Sequence, residues 1–178
     1  MAKTKRVGLT VALIGGMVLS PWVLSAENMS FHGILTESQP CTINDGENIQ
    51  LDFGTVIDKY LYLNGRTNSK PFQLHLIDCD TSLANTLKMT LSGTESIVLP
   101  GLLAPDGSSQ ARGIAIGLET QDGQSLALNQ QGRGQEITDG NNTIILQAYI
   151  KGEPEAITNK AIKKGMFTAV ATFELEYD

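Results

Sequence analysis

A chain of 178 residues holds enough sequence for one domain. Its formal net charge of −6 gives an acidic surface that repels phosphate, so nucleic acid is not expected as a partner. Beyond the first 26 residues no long apolar segment occurs, so the remainder is expected not to span a membrane.

Lys3, Lys5 and Arg6 form a positive start, residues 7–19 an apolar run, Pro21 interrupts it, and Leu24, Ser25 and Ala26 end it in small residues. That is the order of a secretory signal peptide. A membrane-spanning helix needs about 20 apolar residues in a row. This run is shorter and contains Gly15 and Gly16. Cleavage is expected after Ala26, and it removes cations only, leaving a more acidic chain.

In residues 27–40, Met29, Phe31 and Leu35 fall on alternate positions, and Gly33 lies on the same face. A strand glycine is unfavourable unless something approaches closely; otherwise this is an ordinary first strand. Cys41 and Cys79 are the two cysteines. In an exported chain two cysteines usually pair, the alternative being two separate buried thiols. A bridge closing a loop of that size stabilises by about 4 kcal/mol in the chain-entropy view.

Turn signals are dense from there on: Asn44-Asp45-Gly46, Asn64-Gly65, Pro105-Asp106-Gly107, Asp122-Gly123, Gly132-Arg133-Gly134 and Asp139-Gly140-Asn141-Asn142. Between them the apolar residues alternate: Ile49, Leu51 and Phe53; Phe72, Leu74 and Leu76; Leu87, Met89 and Leu91; Ile114, Ile116 and Leu118. Residues 143–150 form a further apolar run. No segment shows a long 3.6-residue period. Many short strands between turns predict an all-β fold, an immunoglobulin-like sandwich spanning 41–178. In the last strand Phe167, Ala169, Ala171, Phe173, Leu175 and Tyr177 share one face, and the pattern runs at full strength to Asp178. Such a strand at a sheet edge leaves a row of N–H and C=O groups that templates another strand. A spare strand at one end and an open edge at the other would join copies head to tail into filaments.

Phe31-x-Gly33-x-Leu35 before Cys41-x-Ile43, Cys79 closing an alternating strand, Gly113-Ile114-Ala115-Ile116, Leu146-x-Ala148-Tyr149, Gly165 and the penultimate Tyr177 occur together in this order. With them the sequence resembles pilins of the chaperone–usher pathway, most of all minor tip or adaptor subunits of P-like or type 1-like pili. The resemblance implies an incomplete immunoglobulin-like sandwich that lacks its last strand and receives a donor strand from a chaperone or another subunit. Chaperone–pilin strand donation is a known instance of a peptide adding to a sheet edge. It further implies a donor strand carrying Met29, Phe31, Gly33 and Leu35, and an acceptor and chaperone-binding edge carrying Gly165, Phe167, Ala169, Ala171, Phe173, Leu175 and Tyr177. The implied partners are other pilin subunits in a head-to-tail heteropolymer, a periplasmic chaperone and an outer-membrane usher. The implied destination is the cell-surface fimbrium. Past Leu35 the arm face carries Glu37 and Gln39, more polar than such arms usually are.

His32 and His75, with Asp78, Cys79 and Asp80 nearby, lack the spacing of a three- or four-ligand zinc site. No Gly-x-Ser-x-Gly turn occurs, and Gly132-Arg133-Gly134 is not followed by the Lys-Ser/Thr of a phosphate loop. The expectation is no catalytic residue, no cofactor, no metal and no small-molecule substrate. A major shaft pilin is the alternative role. A ligand-binding adhesin fits less well, since residues 27–40 leave no room for a lectin domain. Intact-mass measurement of the exported protein should give an N-terminus at Glu27; retention of residues 1–26 in assembled material would overturn the signal reading.

Overall fold

The computed structural model describes residues 39–43 and 49–178. The expected signal peptide, the donor positions Met29, Phe31, Gly33 and Leu35, and Glu37 and His32 lie outside the described residues.

Among the described residues the chain forms two antiparallel sheets. The larger has the order β1 (Thr42–Ile43), β2 (Lys70–Cys79), β7 (Gly140–Gly152), β4 (Ile114–Thr120), β5 (Ser125–Leu126). The smaller has the order β6 (Gln135–Glu136), β3 (Thr86–Gly93), β8 (Ala171–Tyr177). Two short helices, α1 (Asp58–Asn64) and α2 (Pro154–Thr158), sit in the connections. Residues 127–134 carry the chain from the larger sheet to the smaller, between β5 and β6. This is the all-β sandwich that the period-two patterning predicts.

The period explains the packing. Successive strand side chains point to opposite faces. Leu74 and Leu76 of β2, and Ile144, Leu146, Ala148 and Ile150 of β7, therefore turn inward together and are buried. Leu87 and Leu91 of β3 meet them from the smaller sheet. Each such side chain contributes about 1.5–3 kcal/mol by leaving water. Cys41 and Cys79 are bonded, with their Cα atoms 4.1 Å apart and both residues buried. The bond ties the segment ahead of β1 to the end of β2, where the ladder shifts register between Leu76 and Cys79 and Asp78 takes a positive φ of 53°.

β4 is buried on both faces. Its inner residues Ile114, Ile116 and Leu118 join the core, while Leu99 and Leu102, from a hairpin at residues 94–104, cover Ala115 on the outer side. Next along that face the Tyr149 ring lies over Gly117, where a Cβ would come within 2.1 Å of it. The Arg66 guanidinium stacks on the same ring at 3.4 Å and forks onto Glu119, with Nη1 to Oε2 at 3.1 Å and Nη2 to Oε1 at 3.0 Å. Ser69 Oγ donates to the same carboxylate. Hydrogen bonding from Arg66 holds the Glu119 carboxyl below its usual range against the opposing effect of burial. Both lone-pair sides of this buried acid are thus satisfied.

Two expectations need correction in detail. Ile49, Leu51 and Phe53 do alternate, and Leu51 and Phe53 are half-buried against the core, but the segment joins no ladder among the described residues. Gly54 turns the chain there, at φ 64° and with its N–H donated to Asp52 Oδ1 at 2.8 Å. The final segment is a ladder strand only from Ala171 on. Residues 166–168 bond instead to the loop 106–111.

Gly117→Val should drive a side chain into the Tyr149 ring and lower stability by about 1–3 kcal/mol, the usual cost of overpacking. The measurement is the denaturant midpoint of the protein carrying residues 27–39 appended at its C-terminus; an unchanged midpoint would show that ring and guanidinium can lift away freely.

Candidate functional site: the open edge of β8

β8 lies at the rim of its sheet, with β3 as its one strand partner among the described residues. In an antiparallel pair, alternate residues exchange both hydrogen bonds with the partner strand while those between them point their backbone groups the other way. The phase here is fixed by Asp178, whose N–H donates to Thr86 O at 2.9 Å and whose O accepts from Thr86 N at 3.1 Å. Thr172, Glu174 and Glu176 therefore bond to β3. Ala171, Phe173, Leu175 and Tyr177 direct N–H and C=O away from it. β3 confirms the phase: Met89 O and Leu91 O, cross-strand from Leu175 and Phe173, accept from Gly132 and Asn129 on its opposite flank.

The phase continues upstream without β3. Met166 O accepts from Gln110 N at 2.7 Å, and Thr168 O accepts from Asp106 N at 2.8 Å. The buried Ser109 Oγ both accepts from Thr168 N at 3.0 Å and donates to Thr168 O at 3.1 Å. Loop 106–111 thus takes the place of β3, and Phe167 and Ala169 join the open row. Gly165 stands outside this row. It is exposed, at φ 145°, where a Cβ would lie 2.5 Å from Gln110 Cβ, so a side chain there would be strained.

From Phe167 to Tyr177 exposure alternates without a break, and the inward residues are only half-buried. In contrast, Leu74 and Leu76 of β2 and Ile144, Leu146, Ala148 and Ile150 of β7 are buried. Phe167, Ala169, Ala171, Phe173, Leu175 and Tyr177 touch the core on one side and, among the described residues, lack a cover on the other. Leu51, Phe53 and Val56 reach the same cluster from the segment 49–56. The Phe53 and Phe167 rings, with centroids 6.2 Å apart, mark one end of the uncovered stretch. Beside them is a cavity of about 310 Å³ lined by Val56, Ile57, Tyr60 and Thr67. At the other end partial burial raises the Tyr177 phenol above its ordinary pKa. The arrangement can do one thing: accept an extended chain that pairs with the open backbone groups and lays alternate apolar side chains over the uncovered row.

Three of the residues weighed as metal ligands have contacts of their own. Cys79 is in the disulfide, Asp80 Oδ1 accepts from Ser82, and His75 Nδ1 lies 3.2 Å from Thr143 Oγ1. The sequence pattern missed the wall at Leu51, Phe53 and Val56 and the bracket at Ser109. The first was legible only as a strand, and the second had no sequence signal.

The fimbrial protein family matches residues 29–178. The chain belongs to that family. It is 33% identical over 170 residues, 93% of each chain, to an uncharacterized fimbrial-like protein, YfcP, of Escherichia coli strain K12. It is 31% identical to the fimbrial adapter PapK of Escherichia coli, covering 94% of this chain and 97% of that one. The major MR/P fimbria protein of Proteus mirabilis is also 31% identical, over 96% of this chain and 94% of that one. The fold is that of the P pilus rod subunit PapA, with a TM-score of 0.67 over 79% of this chain and 100% of that one, at 23% identity. The protein is thus a structural fimbrial subunit, exported to the cell-surface fimbrium, where such subunits polymerise with one another; its family is not one of enzymes.

With its edge unfilled, the subunit should show alternating amide exchange along β8. Ala171, Phe173, Leu175 and Tyr177 should exchange fast, and Thr172, Glu174 and Glu176 slowly. Uniform protection in a hydrogen-exchange experiment would mean that the edge is already covered.

Proposed function

We propose that the protein is a minor tip or adaptor subunit that polymerises by donor-strand exchange. A periplasmic chaperone first fills the β8 edge and delivers the subunit to the outer-membrane usher, where the arm of the next subunit replaces it. In this reading residues 1–26 are the signal peptide, residues 27–40 the arm that enters a neighbouring subunit through Met29, Phe31, Gly33 and Leu35, and residues 41–178 the domain that receives an arm. The observation that carries it is the uncovered row from Phe167 to Tyr177, whose backbone groups are open on the same side. Each large apolar side chain laid into such a row contributes about 1.5–3 kcal/mol. Backbone pairing then proceeds away from water, so release of the strand is slow. The minor role is supported by two relatives, the adapter PapK and, at 28% identity, a putative minor fimbrial subunit, PmfF, of Proteus mirabilis. The major MR/P fimbria protein, similar to the same degree as PapK, favours a shaft role.

Expressed without a chaperone, the protein should aggregate or be degraded through its open edge. Appending residues 27–39 to the C-terminus through a short flexible linker should yield a soluble monomer, read by size-exclusion chromatography. An unfused chain that is already a stable monomer with high thermal stability would contradict the proposal. Subunit counting by quantitative mass spectrometry of purified fibres decides the role: a few copies per fibre for an adaptor, many for a shaft pilin.

A further inference from the structure

The outward side of the β8 segment changes character along its length. Met166 and Val170 are apolar and strongly exposed, at 77% and 71%. Thr168 and Thr172 are neutral, and Glu174, Glu176 and Asp178 are acidic. Two of the three acids already have partners. Lys88 Nζ forms an ion pair with Asp178, and Gln131 Nε2 donates to Glu176. Both partners come from the β3 side, since Lys88 is in β3 and Gln131 bridges to Thr90. Glu174 differs. Its cross-strand neighbour on β3 is the uncharged Thr90, and among the described residues Glu174 makes no ion pair or side-chain hydrogen bond. Its other flank is the open edge. A strand added there would set one solvent-facing side chain directly opposite Glu174, with Cβ atoms about 4.5–5.5 Å apart, close enough for the pair to attract or repel.

We infer that Glu174 is a specificity-determining residue of the edge: it selects extended strands that present a cation, and rejects those that present an acid, at the solvent-facing position opposite it. The inference rests on the strand-capture reading above and adds to it a requirement on the face of the strand that never enters the groove. The neutral stretch at Met166 to Thr172 makes the requirement positional, because a cation set opposite Val170 would forgo the attraction. The arm of this chain is compatible: with Phe31, Gly33 and Leu35 turned inward, its outer positions Ser30, His32, Ile34 and Thr36 include no acid. Electrostatic complementarity of this kind governs partner choice and capture rate more than final affinity.

The test is a charge scan. Fluorescent peptides of residues 27–39 carry a single Lys or a single Glu at position 30, 32, 34 or 36, and the mature chain is refolded with each, capture being followed by fluorescence anisotropy. At one position the Lys peptide should be captured about two- to fivefold faster than the Glu peptide, the span expected of one cross-strand charge pair. In Glu174→Lys the preference should invert, and in Glu174→Gln it should vanish, so the second variant decides the matter if the first does not fold. The preference should also shrink in about 1 M salt, where charges are screened beyond about 3 Å. Equal capture of Lys and Glu peptides at every position, or a preference that survives both substitutions, overturns the role of Glu174 and leaves strand capture standing. Failure of every peptide to bind, the native sequence included, overturns strand capture itself.

Discussion

In an edge strand the direction of a side chain and the direction of its backbone groups are not independent. One residue phase faces the core, and the geometry of an antiparallel ladder decides whether that phase bonds to the partner strand or away from it. In β8 the core-facing residues are those whose N–H and C=O point away from β3. Apolar demand and hydrogen-bonding demand therefore fall on the same residues and toward the same gap. An incoming strand satisfies both together or neither, so partial occupation by a loop or a loose side chain gains little. The opposite phase would have bonded the core-facing residues to β3 and left only solvent-facing ones open.

The remainder of the domain keeps this gap in shape. Were the larger sheet free to sag, the half-buried row would sink into the core and close the opening. The outer cover over β4 resists that: Leu99 and Leu102 on Ala115, Tyr149 on Gly117, and Arg66 held between the ring and Glu119. Loop 106–111 holds the upstream half of the edge in line where β3 does not reach, chiefly through Ser109 and Asp106. The buried Ser109 therefore has its hydroxyl engaged as donor and acceptor at once, which fixes residues 166–168 as extended backbone.

How far this was legible in the sequence depends on the length scale of each feature. Alternation from Phe167 to Tyr177 is a local property: it marked which residues turn inward, but not that the ladder begins only at Ala171. The same signal at Ile49, Leu51 and Phe53 marked which residues turn inward but not whether a ladder forms, because pairing requires a neighbour that Gly54 turns the chain away from. The half-burial of the β8 row is visible only once both sheets are assembled. The Ser109 bracket and the Tyr149–Gly117–Arg66 stack join residues far apart in sequence, with no period to betray them. The disulfide was foreseen from cysteine count and export, and its partners adjoin β1 and the end of β2 as expected.

The position of that disulfide also sets a mechanical path. Among the described residues β1 pairs with β2 through Thr42 and Ile43, a short ladder that tension on the chain ahead of it would unzip one residue at a time. Cys41 stands in front of that ladder, and its bond to Cys79 passes the pull directly to the end of β2. From there the strain is shared in shear along the long register between β2 and β7, from Lys70–Ala148 to Cys79–Gly140, where many bonds must yield together. A domain pulled by the residues preceding Cys41 thus meets the force with its central strands, and the short β1 ladder is bypassed.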